Sequence, residues 1–245
     1  MITEALGGAS LLVRGFGLVF SRRRLFLLGA LPPLITSVVF LAILITGISN
    51  LDRLIPDFST WIRVLIGIGA VGGSILIMVL VFTAVTLVIG GPVYEKISEL
   101  VEAELGGAPG EVEESLMRSV PRSVRQSIAL LAVSLAGAIV LALVGLVPVV
   151  GQTVVPVLSA IFGAWMLCIE LIAPPFQRRG LLTIAERRAA MGRHRARTLG
   201  FGVPTFLLLS VPFFSVLVFP AAAAGGTMLA RDLLSPRPTA TRRAR

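Results

Sequence analysis

The chain has 245 residues, of which 56% are hydrophobic and only 14% are charged. Because an average soluble domain is about a quarter charged, this composition excludes a water-soluble globular protein. The net charge is +9, and membrane proteins gather such basic residues in loops on one side, so we expect no nucleic-acid partner. Four uncharged stretches are each long enough to cross a hydrocarbon core about 30 Å thick: 25–51, 64–94, 126–169 and 198–230. The sequence therefore predicts an all-α integral membrane protein.

The first part of the chain predicts a surface helix followed by two long transmembrane helices. Residues 1–20 carry Glu4 and Arg14 as their charges and place apolar residues at helical spacing, which is typical of an amphipathic helix at the membrane surface. The two transmembrane helices are predicted at 25–51 and 64–91, with a short polar link between them.

Residues 92–125 are predicted to form a pair of amphipathic helices outside the bilayer. Apolar side chains recur at helical spacing from Val93 to Leu105, and a cluster of glycine and proline then turns the chain. A second polar helix is predicted to begin near Glu111. The many glutamates of this region indicate that it faces water, and we place it in the cytoplasm.

The last two uncharged stretches are interrupted by proline and glycine, which break a helix into the two arms of a hairpin. The first hairpin is predicted at 126–173 and the second at 198–232, with a basic loop at 174–197 between them. Neither tip carries a charge, so we expect re-entrant, hemi-penetrating hairpins, although six complete crossings fit the lengths almost as well. Residues 1–234 are predicted to form one membrane domain, and 235–245 a disordered basic tail.

Basic residues are distributed unevenly across the predicted membrane. Whether the hairpins are re-entrant or cross completely, each returns the chain to the side of the membrane from which it entered. In both cases 20 of the 22 basic residues lie on one side. Arg53 and Arg63 lie on the other side. Because cytoplasmic loops are rich in arginine and lysine, this asymmetry predicts that both termini are cytoplasmic.

Several strings of the chain are distinctive. From Pro148 the sequence reads PVVGQTVVPVLSAIFGAWMLCIELIAPPF, followed by a basic loop and by RHRARTLGFG. Two further strings are GPVYEKISELVE, after the second predicted span, and FPAAAAGGTMLARD, in the last hairpin arm. Together these strings resemble the CysZ sulfate permease family and its wider group of membrane proteins with the etoposide-induced-type domain. The resemblance covers nearly the whole chain and is specific in its second half.

This resemblance implies a homo-oligomer in the bacterial inner membrane, in contact with membrane lipid. Its implied function is a permease or channel that brings sulfate, or a related small anion, into the cytoplasm for cysteine biosynthesis. The alternative within the same group is a non-transporting membrane scaffold or regulatory protein. One motif differs, because the Gly-x-Arg that CysZ proteins often carry at the start of the first span is replaced here by SRRRLFLL.

Three consecutive arginines are the first candidates for anion binding. Arg22, Arg23 and Arg24 precede the first predicted span, where arginine forks and the N-terminus of a helix would both attract an oxyanion. Basic residues before a span also orient it in the membrane, which is their commoner role. The triplet is therefore predicted either to bind the anion or to act as a topology signal.

The first hairpin tip supplies the second candidate set. Gly151, Gln152 and Thr153 offer neutral polar groups, which suit a dehydrated anion that must not bind too tightly. The alternative is that these groups satisfy the backbone that the turn leaves without helical hydrogen bonds.

The other chemically active residues do not indicate an enzyme. Glu170, at the end of an apolar arm, is predicted to form an ion pair with Arg178 and Arg179, which are close to it in sequence. Cys168 is predicted to be a small apolar residue. A single histidine excludes a paired-histidine metal site, and no glycine-rich phosphate loop with lysine occurs, so we expect no catalytic residues, metal or cofactor.

Overall fold

The computed structural model describes residues 1–49, 92–107, 116–211 and 215–235, and the regular elements in these ranges are all α-helices. The prediction of an all-α protein is therefore confirmed for the described residues. The predicted second transmembrane helix at 64–91 lies outside them. So do the middle of the predicted amphipathic pair and almost all of the basic tail.

The described helices are numbered here in chain order. Their bounds are α1 Ile2–Ser21, α2 Arg23–Ser49, α3 92–104, α4 Leu116–Gly145, α5 Val150–Leu171, α6 Ala173–Gln177, α7 Ile184–Arg193, α8 Arg195–Leu209 and α9 Ser215–Leu234. Four described segments are long and apolar enough to cross a membrane: Ile2–Ser21, Pro121–Gly145, Val150–Leu171 and Leu217–Leu234. This finding agrees with the membrane protein that the composition predicts.

The chain divides into two compact units. One unit contains Met1–Phe26 and Glu95–Arg245, and the other contains Leu27–Tyr94. In the described part of the second unit, the Thr46 hydroxyl donates to the Ala42 carbonyl at 2.7 Å, so the α2 backbone satisfies this polar side chain. The candidate residues and the contacts analysed below all belong to the first unit.

The corner between α1 and α2 is built by one extended residue and a row of aromatic rings. Arg22 has φ −118° and ψ 96°, which ends α1, and its backbone N–H donates to the Val19 carbonyl. The Phe16 and Phe20 rings stack with centroids 6.1 Å apart, and the Phe20 ring lies 5.7 Å from that of Phe26 at the start of α2. The aromatic row continues across the corner and so fixes it.

Helix α1 packs directly against α8 and α9 through glycines. A Cβ atom on Gly8 would lie 2.1 Å from the Arg197 carbonyl oxygen, and one on Gly15 would lie 2.3 Å from that of Ala221. Small residues at such spacing let helix backbones approach closely. The predicted surface helix is therefore also a packed member of the bundle, and its position at the membrane surface stays a prediction.

The hydrophobic core lies where α5, α7, α8 and α9 meet. Its largest fully buried side chains include Ile169, Phe176, Met191, Phe201 and Leu229, and the single cysteine, Cys168, is buried among them. The prediction that the cysteine is a buried apolar residue is confirmed.

The first hairpin consists of α4, a short turn and α5. The turn includes Pro148 and Val149, and Val149 has φ 68°, a conformation that is rare for a β-branched residue. Helix α4 runs without interruption through Pro121, where the sequence predicts the polar region outside the bilayer. Pro156 likewise lies inside α5, so Pro148 marks the turn and these other two prolines do not.

Candidate functional site

The arginine triplet lies at the corner between α1 and α2. The Arg22 Nε atom forms an ion pair with the Glu104 carboxylate at 3.0 Å, in which the arginine side chain is 61% exposed. Arg23 and Arg24 are exposed in the first turn of α2, and neither forms an ion pair within the described ranges. Two arginines at the N-terminus of a long helix form a positive, solvent-accessible site that can attract an anion.

The hairpin tip places its three candidate residues in the first turn of α5. The Thr153 hydroxyl donates to the Val149 carbonyl at 2.7 Å, and the same carbonyl also accepts the Thr153 backbone N–H at 3.0 Å. A Cβ atom on Gly151 would lie 2.1 Å from the Gly145 carbonyl oxygen, so this glycine lets the two arms meet closely. Gln152 is exposed and forms no hydrogen bond within the described residues, so its amide can still bind a ligand.

The two candidate sets do not come together. Arg22 contacts α3 through Glu104, and Glu102 on the same helix contacts Arg178, which follows the C-terminal end of α5. Gln152 is near the N-terminal end of α5, and the helix runs about 28 Å from Gln152 to its C-terminal end at 1.5 Å per residue. The triplet and the tip therefore lie at opposite ends of the same unit.

A buried ion-pair cluster lies at the triplet's end of this unit. The Glu102 carboxylate is fully buried and accepts hydrogen bonds from Arg178 Nε and Arg179 Nη1, both at 2.6 Å. The side chain of Arg178 is only 5% exposed. The prediction that Arg178 and Arg179 pair with Glu170 was wrong, because both guanidinium groups bind a carboxylate from a helix remote in sequence.

Neighbouring hydroxyl groups extend this cluster to α9. Arg178 Nη2 donates to the Ser98 hydroxyl oxygen at 2.6 Å. The Thr227 hydroxyl oxygen lies 2.8 Å from that Ser98 oxygen. From α9, Arg231 donates to the Leu105 carbonyl at 2.7 Å. The Glu102 cluster therefore ties α3, the segment after α6 and α9 together.

Sequence reasoning missed Glu102, although a signal was present. Ile97 and Val101 form the buried stripe of α3, and Ser98 and Glu102 follow them one residue later on the same side of the helix. A serine and a glutamate bordering an apolar stripe at a spacing of four indicate a buried polar contact. The sequence does not show which basic residues complete that contact.

A second polar cluster lies where α4 meets the segment before α7. Arg187 is buried and donates to the Ile169 carbonyl at 3.1 Å and to the Gln126 side-chain oxygen at 2.8 Å. The Gln126 amide and Arg122 both donate to the Leu182 carbonyl, at 2.7 Å and 3.1 Å. Arg187 Nε is buried and has no hydrogen-bond partner within the described part of the chain.

A helix cap fixes the position of Arg187. The Thr183 hydroxyl accepts from the Glu186 backbone N–H at 3.2 Å, and the Glu186 carboxylate accepts from the Thr183 backbone N–H at 2.9 Å. These hydrogen bonds hold the pKa of Glu186 below its usual value. Burial lowers the pKa of Arg187, and the nearby Glu170 carboxylate partly opposes that shift.

Comparison with known proteins identifies the family of this chain. Residues 11–220 match the family described as "Sulfate transporter CysZ/Etoposide-induced protein 2.4". A relative from Pectobacterium atrosepticum, named "Sulfate transporter CysZ", is 34% identical over 177 residues, which cover 71% of this chain and 64% of the relative. The matched region thus spans somewhat less than two thirds of that relative's length. The chain belongs to the CysZ/etoposide-induced protein 2.4 family.

Proposed function

We propose that this protein is a membrane permease or channel that imports sulfate for sulfur assimilation and cysteine biosynthesis. The observation that carries the proposal is the 34% identity to a protein named sulfate transporter, within a family match over residues 11–220. A permease needs no catalytic residues. The exposed arginines at the N-terminus of α2 supply the positive charge that attracts a divalent anion.

The proposed setting is the bacterial inner membrane, with both termini in the cytoplasm and the protein assembled as a homo-oligomer. The 20-to-2 distribution of basic residues supports this orientation. Helix α8 has 15 residues and is about 22 Å long, which is shorter than the hydrocarbon core of about 30 Å. This length supports a second hairpin that enters the membrane only partway.

The proposed route of the anion has two ends. Arg22, Arg23 and Arg24 attract sulfate at one end of the first unit, and Gly151, Gln152 and Thr153 contact it at the hairpin tip, at the other end. Charged side chains gather the anion, whereas neutral polar groups hold it weakly enough to release it. The separation of about 28 Å along α5 supports two ends of one path better than a single binding site.

The test is uptake of radiolabelled sulfate into proteoliposomes that contain only this protein. Arg23→Lys with Arg24→Lys retains the charge that orients α2 but removes the planar forks that match an oxyanion. We expect sulfate flux to fall about tenfold while insertion is unchanged, since one strong charge-assisted contact is worth about that factor. The matched control is Arg14→Lys, an exposed arginine on α1.

The control variant should transport sulfate at the native rate. If the native protein gives no sulfate uptake above that of protein-free liposomes, the sulfate proposal fails and the scaffold or regulatory function replaces it. If uptake is normal and the double lysine variant matches the native rate, the triplet is only a topology signal. The anion site would then be sought at Gln152 and its neighbours.

A further inference from the structure

The short helix α7 and the start of α8 carry an excess of exposed positive charge. Residues 184–195 contain four arginines and one glutamate. Three of these arginines, Arg188, Arg193 and Arg195, are exposed, and none of the three forms an ion pair in the part of the chain that the structure describes. The glutamate, Glu186, is bonded to the backbone and side chain of the residue that caps α7. The three exposed guanidinium groups are therefore available to an anionic partner.

This basic stretch stays beside the end of α5. Near the middle of α7, Arg187 donates to the Ile169 carbonyl at 3.1 Å. In the first turn of α8, the Thr198 carbonyl accepts from the Cys168 thiol at 3.6 Å. Ile169 and Cys168 both belong to the last turn of α5. The chain from Arg187 to Thr198 therefore lies across the end of α5 and does not extend away from it.

Helix α9 marks the same level independently. Arg197, in the first turn of α8, forms an ion pair with Asp232 at 2.5 Å. Asp232 lies near the end of Leu217–Leu234, and α5 is Val150–Leu171, and both segments are long and apolar enough to cross a membrane. The polar headgroup layer begins where the apolar part of such a segment ends. In the proposed membrane setting, α7 and the start of α8 therefore lie at the depth of the headgroups.

The exposed arginines of α7 point to both sides of the helix. Arg188 and Arg193 are five residues apart, which places them about 140° apart around the helix axis. The face between them carries the exposed Ala189 and also Gly192, where an added Cβ atom would meet nothing within 4 Å. A cytosolic protein docked on this helix would meet one flank at a time. Headgroups, in contrast, surround a helix at their depth on both flanks.

We propose that α7 and the start of α8 form a binding surface for phospholipids with anionic headgroups. Arg188, Arg193 and Arg195 donate to the headgroup phosphates, and they favour an anionic lipid because each basic residue near the surface attracts negative charge. The proposal rests on the proposed membrane setting and is independent of sulfate transport. It assigns a ligand to arginines that would otherwise only orient the chain in the membrane.

The test places a fluorescent probe on the face between the two flanks. Cys168 is the single cysteine, so Ala189→Cys in a Cys168→Ala background gives one labelling site. The labelled full-length protein is placed in vesicles of phosphatidylcholine and phosphatidylglycerol. A nitroxide near the headgroup end of one acyl chain is carried by one lipid or by the other, at the same total composition. Because the nitroxide quenches a nearby fluorophore, the ratio of the two signals reports which lipid is enriched beside α7.

We expect nitroxide-labelled phosphatidylglycerol to quench more strongly, with an enrichment of about fivefold for each arginine that reaches a headgroup. Arg188→Gln, Arg193→Gln and Arg195→Gln together should reduce the ratio to about one. Lysine at the same three positions keeps the charge and should keep the preference, which separates the effect of charge from that of packing. The control Arg14→Gln removes an exposed arginine of α1 and should leave the ratio at position 189 unchanged.

Equal quenching by the two lipids in the native protein would overturn the proposal. So would a preference that survives in the triple glutamine variant, or one that is lost in the triple lysine variant as well. If neither lipid quenches the probe, α7 faces the cytosol and the headgroup surface is wrong. Sulfate uptake by the same vesicles is measured in parallel, so a failure here is distinguishable from a failure of the transport function.

Discussion

Two glutamates on α3 show how burial determines the loss of stability when an ion pair is broken. Glu102 is fully buried between Arg178 and Arg179, whereas the Glu104 side chain is 32% exposed and pairs with the mostly exposed Arg22. Removing one partner of a buried pair leaves an uncompensated charge in a region of low dielectric. An exposed pair is screened by water and costs little to break.

Glu102→Gln should therefore destabilise the protein far more than Glu104→Gln. We expect the free energy of unfolding to fall by about 3–5 kcal/mol for the buried site. For the exposed site we expect a loss below about 1 kcal/mol. The measurement is unfolding of the purified protein in detergent, with helix content as the signal. Equal losses for the two variants would contradict a structural role for the Glu102 cluster.

Residue patterns predicted the environment of some side chains but not their partners. The position of Cys168 in an apolar run was enough to predict its burial, which the structure confirms. The partner of Arg178 could not be predicted in the same way, because Glu102 lies 76 residues earlier in the chain. Glu170 was the predicted partner because it is near Arg178 in sequence. Glu102 is the observed partner because tertiary packing brings its carboxylate to Arg178.

At the scale of elements, glycine positions determine how α1 packs. Gly8 and Gly15 are seven residues apart, so they lie on one face of the helix, and both meet the backbone of a neighbouring helix. Gly7 and Gly17 have no atom within 4 Å of the position that a Cβ would take. The same residue type is therefore required at one pair of positions and replaceable at the other.

Gly15→Ala and Gly17→Ala should change stability in opposite directions. At Gly15 the new methyl group would lie 2.3 Å from the Ala221 carbonyl oxygen, so we expect a loss of about 1–3 kcal/mol from overpacking. At Gly17 alanine meets open space and raises helix propensity, which should stabilise the helix by up to about 1 kcal/mol. Thermal unfolding of both variants in the same detergent tests this. A stable Gly15→Ala protein would show that α1 does not pack on α9 as described.

The lengths of the uncharged stretches predicted the helices better than the positions of proline did. The uncharged stretch 25–51 predicted a helix that the structure places at Arg23–Ser49. Proline predicted breaks, yet Pro156, Pro204 and Pro220 all lie inside helices. A helix in a membrane protein tolerates proline where neighbouring helices or side chains satisfy the freed carbonyl, and the sequence alone does not show where they do.

At the scale of the whole molecule, helix length bears on how far each hairpin enters the membrane. The arms of the first hairpin, α4 and α5, are each longer than the roughly 20 residues that a complete crossing needs. In the second hairpin α8 falls short of that length with 15 residues. Length alone therefore permits the first hairpin to cross and argues against a complete crossing by the second. The uncharged tips argue for partial insertion of both.

Single cysteines at the two tips distinguish these arrangements. In a Cys168→Ala background, Leu146→Cys reports on the first tip and Val211→Cys on the second, and both native side chains are exposed. If both hairpins stop within the bilayer, an impermeant thiol reagent outside intact cells should label neither, because water-deprived thiols stay protonated and unreactive. Asp57→Cys, in the predicted external link, should be labelled, and Arg188→Cys should be labelled only after the membrane is opened. Rapid labelling of Leu146→Cys alone would show that the first hairpin crosses completely, and labelling of Arg188→Cys from outside would reverse the orientation.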